Sequence, residues 1–120
     1  MWEIEVTDEF EAWWRELTPS LQEAVDQRLR LLAARGPGLG RPTVDTLVGS
    51  AVPNLKELRA GSVRVLFVFD ARRTAILLVG GDKRDMWSRW YDDAIPAAER
   101  AYAQYLQKLA QTERERRRDG

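Results

Sequence analysis

The chain has 120 residues, of which 44% are hydrophobic and 32% charged, the length and composition of one folded domain. It contains no cysteine and no histidine, which excludes disulfides, thiolate nucleophiles and the commonest metal ligands. We therefore expect no metal and no cofactor, and any catalysis must use Lys, Arg, Tyr or carboxylates.

The formal charge of +0 is unevenly distributed along the chain. Residues 1–33 carry three basic and eight acidic side chains, a balance of −5, whereas residues 54–91 carry eight basic and four acidic ones, a balance of +4. This asymmetry indicates a polyanionic partner. No run approaches the roughly 20 apolar residues that span a bilayer, and Met1–Glu5 lacks the pattern of a secretory signal, so we expect a cytoplasmic protein without a membrane partner.

The N-terminal third predicts a strand followed by two helices. Residues 2–6 alternate apolar and acidic side chains, as in a strand with one buried face. Asp8 is the predicted N-cap of a first helix, whose apolar residues recur at i, i+3, i+4 and i+7. Thr18 and Pro19 begin a second helix, which ends at Gly36.

The rest of the chain predicts three strands and a final helix. Residues 36–53 are rich in Gly and Pro and predict a loop. Strands are predicted at 55–59, 63–69 and 74–79, with Gly80 and Gly81 ending the last. A helix is predicted from Asp85, with Pro96 opening or kinking it, and a charged, frayed tail at 112–120. The order β-α-α-β-β-β-α predicts an α+β fold with a mostly antiparallel sheet. An N-terminal helical hairpin and a separately packed C-terminal helix are expected around it. One face of the sheet, or its open end, is then expected to carry the functional site.

Three segments carry a resemblance to a known superfamily. Residues 54–70 (NLKELRAGSVRVLFVFD) resemble the core hairpin of RelE/HigB-type toxins, in which a strand ending in basic residues turns through Gly into a strand beginning with Arg. Residues 77–83 (LLVGGDK) and 87–96 (WSRWYDDAIP) look like the phage-associated HigB branch. The resemblance implies a RelE-like domain over residues 1–111. It also implies an mRNA endoribonuclease, acting on the ribosome, with a cognate antitoxin of the helix-turn-helix type.

Arg64 is the strongest candidate for a site residue. It opens a predicted strand, and its position matches the phosphate-binding Arg of the superfamily. Metal-independent RNA cleavage uses the ribose 2′-OH against the adjacent phosphate, and the planar guanidinium can hold two phosphate oxygens. The alternative is an exposed strand Arg that serves solubility.

Lys56 and Arg59 lie on the preceding strand, and two-residue alternation puts them on opposite faces. Both cannot point into one site unless a bulge intervenes. Arg59 is favoured because it is closer to the turn and Lys56 is kept as its substitute. An ordinary edge-strand Lys is an equally good interpretation of Lys56.

Lys83 follows the two glycines, which would allow a ligand to approach the backbone closely. Asp82 is a second candidate for acid–base work, with a helix cap as the alternative, and Arg84 joins the predicted RNA-binding set. Tyr91 and Trp87 could stack on bases, and Tyr91 could supply a phenolic proton. Together with Trp90 they have the i, i+3, i+4 spacing of a buried helix face, so core packing is expected for at least two of the three.

Two other functions remain open at this point. The chain could block translation or another host process by binding alone, because the acid–base histidines of several HigB-type toxins have no counterpart here. A nucleic-acid-binding module acting in repression is the weakest hypothesis, since no recognition-helix pattern is present.

Overall fold

Five strands and three helices make up the part of the chain that the structure describes. The structure is a computed structural model and describes residues 1–84 and 86–119, with only the backbone of residue 119. The elements are β1 (Glu3–Val6), α1 (Asp8–Glu16), α2 (Pro19–Arg35), β2 (Val44–Thr46), β3 (Lys56–Ala60), β4 (Val63–Phe69), β5 (Thr74–Asp82) and α3 (Arg89–Asp119), with a 3-10 turn at Gly36–Gly38. Within these residues no helix combines the length and apolar character needed to cross a membrane.

The strands form one sheet in the order β1-β5-β4-β3-β2. β1 runs parallel to β5, and the other neighbours are antiparallel. The predicted α+β class with a mostly antiparallel sheet is confirmed. The prediction that residues 36–53 form a loop is wrong in one respect. This segment contains β2, which pairs with β3 through Val44 and Leu58. A strand of three residues is too short to show a two-residue period, so the sequence pattern does not reveal β2. The burial of Val44 at this edge of the sheet determines its position instead.

The helical hairpin α1–α2 packs on one face of the sheet. Thr7, not the predicted Asp8, caps α1, since its hydroxyl accepts a hydrogen bond from the Phe10 N–H at 3.1 Å. Thr18 caps α2 and Pro19 is its first residue, as predicted. The apolar side chains that meet across this layer are Phe10, Val25, Leu32, Leu58, Val65, Phe67 and Leu77. Burial of side chains of this size contributes about 1.5–3 kcal/mol each.

The opposite face is partly covered by α3, so neither face of the sheet is left free. Trp90, Ala94, Ala98 and Ala101 pack on side chains from β4 and β5. The predicted start at Asp85 lies outside the described residues, and α3 begins at Arg89 with Pro96 inside it. Residues 112–119 belong to this helix, where a frayed tail was predicted, and the side chains of 112–118 are exposed.

β5 continues through both glycines to Asp82, three residues beyond its predicted end. A Cβ atom on Gly80 would come within 2.3 Å of the Trp13 ring, and one on Gly81 within 2.6 Å of Trp90. The glycines therefore make room for two indole rings on opposite faces of the sheet. The expectation that they admit a ligand to the backbone is wrong, because these rings occupy that space.

Candidate functional site

The turn between β3 and β4 meets the end of β5, and this junction forms the candidate site. Arg59 lies opposite Arg64 in the β3–β4 pairing, and Arg64 lies opposite Gly81 in the β4–β5 pairing. Gly61 makes the turn with a φ of 63°, a conformation that glycine adopts without strain. The Lys83 N–H donates to the Ser62 carbonyl at 3.1 Å, which fixes the chain leaving β5 against this turn.

An open cleft of about 300 Å³ lies at this junction, and its lining residues are Gly61, Ser62, Arg64, Lys83, Arg84 and Trp87. Four of the residues predicted from the sequence, three of them cationic, therefore converge in one place. They come from β4 and from the segment between β5 and α3, so the sheet pairing and the chain reversal after Asp82 bring them together. Such a cleft has the charge and shape to hold an anion.

Arg64 is only 9% exposed, which argues against a solubility role. Its Nη1 donates to the carbonyls of Gly61 at 2.5 Å and Val63 at 3.0 Å. Its Nε lies 3.4 Å from Glu57 Oε1, outside hydrogen-bond geometry, and is a buried polar atom without a partner within the described residues. The guanidinium is thus held in one orientation by the turn's own backbone.

Glu57, on β3, is a buried carboxylate that the sequence analysis did not select. It is 2% exposed. Arg59 donates to its Oε2 from Nη2 at 3.0 Å and from Nε at 3.3 Å, and the Tyr91 hydroxyl donates to its Oε1 at 2.5 Å. A signal was present, because Glu57 shares strand parity with Arg59 and therefore with Arg64 across the turn.

Two pKa values respond to this cluster. Burial raises the pKa of Tyr91, its hydrogen bond to Glu57 and the charge of that carboxylate raise it further, and Arg64 opposes them. Burial acts to lower the pKa of Arg59, but Glu57 and Asp45 outweigh it, so that the net shift is upward. Tyr91 is therefore a neutral phenol and Arg59 a permanent cation near neutral pH.

Lys83 and Trp87 line the α3 side of the cleft, and Tyr91 lies next to Lys83. The Lys83 ammonium lies 5.4 Å from the centre of the Tyr91 ring and 5.9 Å from that of Trp87, within the range of cation–π attraction. Trp87 is 71% exposed, whereas Trp90 is buried in the α3 layer and Tyr91 packs at its margin. The expectation of core packing thus fits Trp90 and Tyr91, and leaves Trp87 free to meet a ligand.

Asp82 ends β5 and fixes the backbone that follows. Burial acts to raise its pKa, but hydrogen bonds from the Ser62 hydroxyl and the Arg84 N–H, with the charges of Arg84 and Arg64, lower it overall. The Arg84 N–H donates at 2.9 Å, and the Arg84 guanidinium lies 3.5 Å from the carboxylate. Asp82 thus caps the turn that follows β5, and it is not a helix cap, because α3 begins at Arg89. Asp82 is ionised near neutral pH and has no proton to give.

Arg59 and Lys56 are separated by the alternation that the sequence predicted. Arg59 lies on the face of Arg64, but its guanidinium pairs with Glu57 and with Asp45 at 3.2 Å. Lys56 lies opposite Phe67, on the helical-hairpin face, and its Nζ donates to Thr46 at 2.8 Å. Lys56 does not reach the cleft and cannot substitute for Arg59, because no bulge separates the two on β3.

Sequence and structure comparisons place the chain among known proteins. The family model described as "Phage derived protein Gp49-like (DUF891)" matches residues 12–103. HigB3 of Mycobacterium tuberculosis, which is named as a toxin, is 47% identical over 98 residues, covering 80% of this chain and 86% of HigB3. HigB2 of the same organism, also named as a toxin, is 40% identical over 122 residues, covering 98% of this chain but only 60% of HigB2.

The fold also matches a solved structure at low identity. The toxin–antitoxin complex RelBE2 of Mycobacterium tuberculosis contains a chain that superposes with a TM-score of 0.55 and 17% identity, over 68% of this chain and 96% of that one. This similarity shows a shared fold. Together with the family match and the two relatives, it shows that the chain belongs to the Gp49-like family of RelE/HigB-type toxins.

Proposed function

We propose that this protein is the toxin of a type II toxin–antitoxin system and that it cleaves mRNA on the ribosome, in the cytoplasm. The observation that carries the proposal is the convergence of Arg64, Lys83 and Arg84 in one open cleft beside the exposed Trp87. Three cations around a space of that size suit a phosphodiester, and an exposed indole suits an adjacent base, whose stacking is worth roughly 1–3 kcal/mol.

The reaction begins when the ribose 2′-OH attacks the adjacent phosphorus. The new P–O bond closes a cyclic phosphate, the bond to the 5′ oxygen breaks, the 2′ proton is removed and the leaving oxygen takes a proton. Arg64 holds the nonbridging oxygens and stabilises the charge that grows on them, since its guanidinium is already oriented by two backbone carbonyls. Lys83 lines the same cleft and protonates the leaving oxygen.

Arg84 and Trp87 hold the RNA, and the remaining predicted residues support the cleft. Arg84 is mostly exposed, so it contacts the backbone of the strand as it enters. Asp82 keeps its charge and orients Arg84. Arg59 neutralises Glu57, without a direct role toward the phosphate. The chain has no histidine, so ribosomal groups complete the alignment and proton transfer, and purified protein degrades free RNA poorly.

A cognate antitoxin of the helix-turn-helix type neutralises the protein. The names of HigB2 and HigB3 and the toxin–antitoxin complex formed by a chain of the same fold support this part of the proposal. A gene for a small helix-turn-helix protein beside this one is the expected genomic arrangement.

The test is induced expression in a bacterial host, followed by growth measurement and mapping of mRNA 5′ ends. The wild type arrests growth and leaves cuts in translated messages. Arg64→Ala lowers cleavage by about 100- to 1,000-fold, the usual effect of removing one donor that stabilises transition-state charge. Lys56→Ala is the matched control, because it removes a cation of the same sheet that does not line the cleft, and it cleaves like the wild type.

Three outcomes would contradict the proposal or part of it. Undiminished cutting by Arg64→Ala would remove the cleft from the mechanism. Growth arrest that persists in Arg64→Ala without any cuts would support a protein that blocks its target by binding alone. Rapid cutting of naked RNA by the purified wild type would remove the dependence on the ribosome.

A further inference from the structure

Among the described residues that contact the cations of the cleft, Glu57 is the most deeply buried acidic side chain. Its burial costs hydration free energy. A carboxylate removed from water loses several kcal/mol of hydration free energy unless charged or polar partners replace the water. Here the side chain is 3% exposed and accepts hydrogen bonds from Arg59 and Tyr91, while Arg64 lies 3.4 Å away. Arg59 is shared between Glu57 and Asp45, and the neutral Tyr91 hydroxyl adds a hydrogen bond and no charge, so charge neutralisation does not account for the contact with Tyr91.

Arg64 lines the cleft and Tyr91 lies beside it, with its ring centre 5.4 Å from the Lys83 ammonium, and the two come from different layers of the fold. Arg64 is on β4, whereas Tyr91 is in the first turn of α3, 34 residues from Glu57 in the chain. The carboxylate therefore joins the sheet to α3 at the edge of the cleft. Movement of either element would change the distance between the guanidinium and the phenol.

We infer that Glu57 is a positioning residue, whose carboxylate holds the hydroxyl of Tyr91 beside the backbone-anchored guanidinium of Arg64, in the relative orientation that RNA cleavage requires. The inference deepens the proposed nuclease function and rests on it. Glu57 itself is enclosed and does not touch the RNA.

The direction of the hydrogen bond between Tyr91 and Glu57 determines which group Tyr91 can serve in the reaction. The Tyr91 hydroxyl is the donor and Glu57 Oε1 the acceptor, so the short contact fixes the Tyr91 proton on the side of Glu57. The lone pairs of the phenolic oxygen then face away from Glu57 and can accept a hydrogen bond from the ribose 2′-OH. Tyr91 thus orients the nucleophile, and its own proton is not available for the leaving group, in contrast to the role considered from the sequence.

The activity test compares Glu57→Gln, Tyr91→Phe and the double variant in the ribosome-dependent cleavage assay. Each single variant cleaves about 10- to 100-fold more slowly, the loss expected when a reacting group is misplaced. The double variant is no slower than the worse single one, because both remove the same link. Losses that multiply in the double variant would overturn the inference.

Glu99→Gln is the matched control. Glu99 accepts hydrogen bonds from the Ser50 hydroxyl at 2.8 Å and the Ala51 N–H at 2.7 Å, away from the cleft, so its variant cleaves like the wild type. Tyr91→Phe guards against misfolding of Glu57→Gln, since it leaves the arginine pairs of Glu57 intact. Wild-type cleavage by Tyr91→Phe would overturn the inference.

A second readout needs no RNA. In protein labelled with ¹³C at tyrosine Cζ, the Tyr91 resonance, assigned by its loss in Tyr91→Phe, reports the titration of the phenol. The raised pKa of Tyr91 falls in Glu57→Gln, because a negative charge is removed and Arg64 remains. An unchanged titration would refute the link. If the wild type does not cleave mRNA, the proposed function fails, while this titration still tests the contact between Glu57 and Tyr91.

Discussion

The two faces of the sheet differ most where β3 and β4 meet at their turn. On the helical-hairpin face, these strands present Leu58, Ala60, Val63, Val65 and Phe67, all buried and apolar. On the α3 face, the same strands present Glu57, Arg59 and Arg64 near the turn, and apolar side chains only farther along. The two sets alternate along the chain, so one hairpin supplies both a core and a charged site.

The difference follows from where α3 begins. α3 covers the far end of the second face from Trp90 onward, whereas the cleft lies beside the segment that precedes the helix. The turn therefore opens into the cleft, while Glu57 and Arg64 stay largely buried and Glu57 contacts Tyr91. The helical-hairpin face therefore carries a large part of the buried apolar core, and the incompletely covered face carries the candidate site.

The largest effect on stability is expected on the helical-hairpin face. Phe67 is fully buried there, and Phe67→Ala lowers the free energy of unfolding by about 3–5 kcal/mol, through lost burial and the cavity that remains. Denaturation in urea measures this loss. A change below about 1 kcal/mol would mean that this face is not the main core, and it would contradict the difference between the two faces.

An intermediate loss of stability is expected at the two adjacent glycines of β5, each of which contacts a tryptophan on a different face of the sheet. Gly80→Ala forces a methyl group against Trp13, and Gly81→Ala forces one against Trp90. Each lowers the free energy of unfolding by about 1–3 kcal/mol, the usual cost of overpacking. Only Gly81→Ala also slows mRNA cleavage, because the Trp90 ring lies 5.1 Å from that of Tyr91. Equal cleavage by both variants would contradict the division between the faces.

The smallest effect is a dependence of stability on pH that comes from the cleft. The pKa of Asp82 is lower in the folded protein than its usual value of about 3.9, so its carboxylate stabilises the fold above that pH. This contribution is lost as the pH falls through the folded pKa. It stays below about 1 kcal/mol because the side chain is partly exposed and screened.

Urea denaturation of the wild type and Asp82→Asn measures this contribution. The difference in unfolding free energy between them shrinks as the pH is lowered from 7 through the folded pKa of Asp82, below which both variants carry a neutral side chain. A difference that stays constant over this interval would show that charge is not the origin of the contact's stability.

Much of the fold was predictable because its determinants are local. The strand at 63–69 has the bounds predicted, and Thr18 with Pro19 begins α2 as expected. The errors come from non-local contacts. β2 depends on the partner strand β3, and β5 continues through two glycines because Trp13 and Trp90 pack against them from helices on opposite faces.

The candidate site was predictable to the same extent. Arg64, Lys83 and Trp87 lie in the three segments that resemble the superfamily, Arg84 directly follows the second of them, and all four residues line one cleft. Alternation separated Arg59 from Lys56 in the correct sense. Glu57 shares strand parity with Arg59 and Arg64, but it was missed because its contact with a tyrosine 34 residues away cannot be predicted from the strand.

The attachment of Arg64 to the carbonyls of Gly61 and Val63 has a consequence for sequence variation. Every amino acid supplies a carbonyl oxygen, so the anchoring of this guanidinium does not depend on which side chains occupy the turn, provided that residue 61 can adopt its positive φ. Related proteins are therefore free to diverge at position 62 and to acquire different RNA contacts there, while the central cation of the cleft keeps its place.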